Sequence, residues 1–133
     1  MPRRTAVLLV LALLAAGCGV RTTKSYTAKG SAPCLRQHGF SVTTDPAKIG
    51  FIAAFAANGG LRAISPHRNV LTIAFAADAK GVPDTEKAFR DHAPAALRPH
   101  LADIMSSQRN AVLVWTTTPS AADATDVQFC LKP

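Results

Sequence analysis

Apolar and polar positions alternate with two periods along this chain. Residues 40–44, FSVTT, set Phe40 and Val42 on one side and Ser41 and Thr43 on the other, the pattern of a strand with one wet face. Residues 61–65 and 69–78, separated by Pro66-His67-Arg68, predict a hairpin. Its second strand puts Leu71, Ile73 and Phe75 on one face and the smaller Val70, Thr72, Ala74 and Ala76 on the other. AVLVWTT, residues 111–117, is apolar on both faces and reads as a central strand.

Helical spacing fills the intervals. SAPCLRQHGF predicts a short helix with Ser31 as its cap, Pro33 in the first turn and Gly39 at its stop. Asp45, Pro46 and the pair Gly59-Gly60 bracket a helix over residues 46–58. On it Ile49, Ile52, Ala53 and Ala56 form one apolar stripe, and Phe51 and Phe55 form a second. The first stripe is expected on the larger-residue face of the sheet, with Leu71, Ile73 and Phe75. The second is expected against another helix, such as the one carrying Leu101 and Met105. A helix from near Pro83 carries Phe89 and is interrupted by Pro94 and Pro99. Leu97, Leu101, Ile104 and Met105 resume an amphipathic stripe, with Ser106-Ser107 at its end. Ser120 and Asp123 fit a capping box for a last helix, on which Val127, Cys130 and Leu131 share a stripe. This order predicts an α+β fold: a two-layer sandwich of about four strands with helices mainly on one face.

The first residues follow neither period. Arg3 and Arg4 precede eleven apolar residues, Ala6 to Ala16. A membrane span needs about 20, so the segment reads as a secretory signal. Its end, Ala15-Ala16-Gly17-Cys18, resembles the lipobox of bacterial lipoproteins. The resemblance implies that Cys18 receives a diacylglyceryl group, that cleavage falls before it, and that its new amine is acylated. The domain order is then a signal peptide at 1–17, a lipidated N-terminus and flexible tether at 18–30, and one folded domain at 31–133. The expected location is the cell membrane, lipid-anchored and facing the extracytoplasmic side.

Charge and cysteines narrow the classes. The chain carries a net charge of +7, or +5 without Arg3 and Arg4. Arg21, Lys24 and Lys29 lie between Cys18 and Cys34 with no acid among them, so the tether can lie on anionic lipid or stay soluble by its charge. The basic residues are scattered and lack aromatic interleaving, which argues against nucleic acid as a partner. With Cys18 assigned to lipid, Cys34 and Cys130 remain, and an even count outside the cytoplasm predicts a disulfide.

Catalytic patterns do not emerge. His38, His67, His92 and His100 show no ligand spacing, so no metal and no cofactor is expected. No G-x-S-x-G is present, and Asp84 and Glu86 are accounted for by a helix start. No residue is assigned a catalytic role. Trp115, Phe51 and Phe55 remain as possible binding residues, each weighed against plain core. The layout also resembles small secreted and lipid-anchored proteins of high-GC Gram-positive bacteria, through Cys34-Leu35, the Gly-ended helix and Cys130-Leu131. That group has no agreed activity, so the resemblance implies none. The expectation is a non-enzymatic lipid-anchored envelope protein binding a protein, an envelope polymer or a small ligand. An envelope hydrolase and a purely structural lipoprotein are the alternatives.

Overall fold

A computed structural model describes residues 23–133. The expected signal segment and Cys18 lie outside the described residues. The fold is α+β, built on one five-stranded antiparallel sheet. Its strands are β1 (Ser41–Thr43), β2 (Gly60–Ile64), β3 (Val70–Phe75), β4 (Met105–Gln108) and β5 (Ala111–Trp115). They stand in the order β1-β2-β3-β5-β4. The helices are α1 (Ala28–Gln37), α2 (Phe51–Ala54), α3 (Val82–His92), α4 (Leu101–Ile104) and α5 (Ala121–Cys130).

Strand register decides which residues share a face. Leu71 stands between Ala63 and Trp115, and Ile73 between Leu61 and Leu113. On β2, β3 and β5 this face is buried, and it packs against Leu35 of α1 and Val127 of α5. Cys34 and Cys130 are disulfide-bonded with Cα atoms 5.2 Å apart, tying α1 to α5 over that core. The bridge predicted from the cysteine count is thus present.

The opposite face carries α2 and α3, beyond the expected placing of helices mainly on one side. Small side chains make room there. Ala53 packs on Ala74, and a Cβ at Gly60 would sit 2.4 Å from the Ala53 carbonyl oxygen. Toward the far end Ile64 is exposed and Val70, Thr72 and Val114 are half-buried, so the cover is partial.

Three local expectations are corrected. The helix over 46–58 shrinks to Phe51–Ala54. Asp45 caps a turn instead, its Oδ1 accepting from the Ala47 N–H at 3.0 Å, and Gly50 takes φ 86°, which no helix continues through. Its first stripe packs on Ala74, the small-residue face, and not on Leu71, Ile73 and Phe75. Met105, expected on the amphipathic stripe, and Ser106-Ser107, expected at its end, belong instead to edge strand β4, joined to β5 by the two-residue turn Arg109-Asn110. The folded body also starts inside the stretch expected as tether: Thr27 caps α1 through its Oγ1, and Tyr26 is buried.

Asn110 holds that early start in place. It is buried, and its Oδ1 accepts from the Tyr26 N–H at 2.7 Å. Its Nδ2 donates to the carbonyls of Tyr26 at 2.8 Å and Ala76 at 2.7 Å. The amide thus satisfies three backbone groups that no strand ladder reaches.

Candidate functional site

Phe51 opens α2 and Phe55 ends it, four residues on and therefore on the same side. Their rings lie 4.9 Å apart at 49°. Both point to solvent, at 73% and 78% exposure. They do not meet another helix, so the expected cover for the second stripe is absent from the described residues. The reason is the shortness of α2: Ile49 and Ala53 bury the one turn it has, and nothing is left to turn the phenylalanines inward.

A groove runs between α2 and α3 beside this pair. One recess of about 370 Å³ is lined by Ile49, Phe51, Ile52, Thr72, Phe89 and His92. A second of about 350 Å³ continues past Phe55 and Ala56 to Ala77 and the Asp84-Thr85 turn of α3. Its walls are apolar with a polar lip, the make-up of a binding surface more than of a reaction centre. Large side chains pointing outward in a contiguous patch mark an interaction site more often than a packing accident.

Trp115 falls elsewhere. It is 3% exposed, opposite Leu71 in the main core, and only edges a recess of about 250 Å³ beside Pro119. Its role is packing. A cavity of about 540 Å³ lies between α1 and the β1–α2 loop, and Lys29 and Arg36 line it with no carboxylate or thiol in the lining.

The histidines divide by neighbour. His38 Nδ1 lies 3.0 Å from Asp126 Oδ1, and His67 Nδ1 lies 2.9 Å from Asp123 Oδ1. His92 lines the groove. Asp123 is buried at 1% exposure. Burial alone raises its carboxyl pKa, but the Ser65 hydroxyl, His67 and Ser120 outweigh that and hold it below the ordinary carboxylate value. An ionised Asp123 can only accept, so the His67 Nδ1–H donates to it. Ser65 Oγ accepts from the Asn69 N–H at 3.2 Å within the turn, and the His67–Asp123 contact ties that turn to the start of α5.

His38, Cys34 and Cys130 place ligand-type atoms within 4.8 Å of one another. Both sulfurs are committed to the disulfide, and a disulfide offers no thiolate to a metal. No helix among the described residues is long and apolar enough to cross a membrane.

The sequence pattern named Phe51 and Phe55 as possible binders but gave core the greater weight. Gly50, in the middle of the expected helix, was the signal that the helix would be too short to bury them. No family model, curated protein or solved structure matches this chain.

Proposed function

We propose that this protein is a non-enzymatic, lipid-anchored protein of the cell envelope that binds through the Phe51–Phe55 surface. The anchor reading rests on the lipobox-like Ala15-Ala16-Gly17-Cys18 behind its short apolar segment. The binding reading rests on one observation: two adjacent phenylalanines exposed at 73% and 78% at the mouth of an apolar groove. A binding role also suits a body in which His38, His67 and the buried Asp123 are engaged in fixing turns and helices.

Two measurements test this. Intact mass of the membrane-extracted protein should report a diacylglyceryl group on Cys18, and Cys18→Ser should abolish it. A photo-reactive benzophenone side chain placed at position 55 should cross-link in intact cells. Wild-type protein recovered free and unmodified from culture medium overturns the anchor. Absence of any cross-link from position 55 overturns the binding surface.

A further inference from the structure

The chain enters the folded body close to that same surface. Thr23, Lys24 and Ser25 share a recess of about 380 Å³ with Asp78, Lys80 and Arg109. Ser25 Oγ donates to the Ala77 carbonyl at 2.9 Å, and Ala77 also lines the recess that continues past Phe55. Asn58 Nδ2 donates to the carbonyls of both Ala76 and Ala77, stitching the segment after α2 to the same point. The entry point, the cations and the phenylalanines therefore occupy one end of the domain.

Charge at this end leans positive, with Lys24, Lys80 and Arg109 set against Asp78 and, in the recess beside Phe55, Asp84. Lys24, Lys80 and Arg109 are exposed. Among the described residues none of the three takes part in an ion pair. The one acid between them, Asp78, spends Oδ1 on the backbone N–H groups of Lys80 and Gly81.

Chain length then constrains the orientation. Cys18 and Thr23 are five residues apart, so their Cα atoms lie within about 18 Å even when the chain is fully extended. A lipid on Cys18 holds Thr23 within that distance of the headgroups. The end of the domain that carries Thr23 cannot face away from the bilayer.

We infer that this end is a membrane-docking face, on which Lys24, Lys80 and Arg109 meet anionic headgroups while Phe51 and Phe55 enter the boundary between headgroups and acyl chains. The inference rests on the lipid-anchor reading and names the partner of the Phe51–Phe55 surface as an anionic bilayer. Exposed aromatic side chains beside Lys and Arg are the combination that interfacial binding uses: the cations are attracted over a Debye length, and the rings add buried apolar area.

The test uses the mature lipidated protein carrying Phe55→Trp in vesicles. Buried Trp115 serves as an internal reference that neither solvent nor lipid reaches. On vesicles containing phosphatidylglycerol, acrylamide quenching of the added emission should fall several-fold relative to the protein in detergent. Lipids brominated near the carbonyl should quench it. Reversing charge with Lys24→Glu and Lys80→Glu, both at exposed positions, should restore acrylamide access. Unchanged acrylamide access on anionic vesicles, with the Cys18 lipid confirmed by mass, overturns the docking face alone and leaves the phenylalanines open to a protein partner. Absence of the lipid overturns the docking face and the anchor together. If Phe55→Trp disturbs the fold, a nitroxide label on Phe55→Cys reports the same depth by relaxation in the membrane.

Discussion

His67 in the β2–β3 turn donates its Nδ1–H to the buried Asp123 carboxylate, 2.9 Å away and 56 residues later in the chain. Around this contact two loops are sewn together. Asn69 Nδ2 donates to the Thr117 carbonyl at 2.8 Å, its Oδ1 accepts from Thr116 Oγ1 at 3.0 Å, and Ser120 Oγ accepts from the Asp123 N–H at 3.1 Å. The hairpin turn and the start of α5 are thereby one unit. This end is closed by a polar network, and the end with Phe51 and Phe55 carries the open surface.

Asp123 makes stability depend on acid. Its folded pKa lies below the ordinary 3.8, so the folded state holds fewer protons than the unfolded chain in that range. The contribution is complete at pH values above 3.8 and is lost as pH falls below it through the depressed folded pKa. Asp123→Asn should lower stability at neutral pH by about 1–3 kcal/mol, because a buried acceptor set is disrupted. It should also flatten the acid limb. Urea titrations from neutral pH down to below pH 3.8 check both, and an unchanged acid limb in the variant would refute the assignment.

The disulfide closes a loop with a sequence separation of 96. In the chain-entropy account such a loop contributes about 4–5 kcal/mol by restricting the unfolded chain. The double variant Cys34→Ser, Cys130→Ser should lose stability of that order. Non-reducing peptide mapping should find Cys34 joined to Cys130, and free reaction of either thiol with a maleimide in the folded protein would contradict it.

Ile73 and Phe55 should separate core from surface. Ile73 is fully buried at the centre of the sheet, and Ile73→Ala should cost about 2–5 kcal/mol. Phe55→Ser removes an exposed ring and should stay within about 0.5 kcal/mol of wild type. Thermal melts read side by side decide the matter. A large loss in Phe55→Ser would mean that the ring is covered in the folded protein.

Asn110 should control where the fold begins. Asn110→Leu fills similar space but leaves the Tyr26 N–H and the Tyr26 carbonyl without this side-chain partner, and leaves the Ala76 carbonyl to Asn58 Nδ2 alone. The expected loss is about 1–3 kcal/mol, with faster amide exchange confined first to the segment around Tyr26. Uniformly faster exchange throughout the sheet would show instead that Asn110 supports the global core.

Much of this architecture is legible in the residues themselves. Alternation marks β1, a split between large and small side chains marks the two faces of β3, and a run apolar on both faces marks β5 as central. The caps at Ser120 and the stop at Gly39, with φ 85°, are local chemistry that a short window contains. The disulfide follows from an even cysteine count once Cys18 is set aside. Other features depend on distant neighbours. β4 is the polar run Met-Ser-Ser-Gln at a sheet edge, and such a run becomes a strand only because β5 offers it a ladder. Tyr26 leaves the expected tether because Asn110, 84 residues away, is shaped to receive its backbone. The fate of Phe51 and Phe55 turned on the same kind of cause. Periodicity states that two rings share a side; whether that side is covered depends on how far α2 extends and what packs beside it. Gly50 delays the helix until Phe51, the small residues Gly60 and Ala74 draw its other side onto the sheet, and the rings are left facing out. The sequence alone determined the elements with local period and local caps, while tertiary structure decided which apolar side was buried, because burial belongs to pairs of surfaces and a sequence window contains one of them.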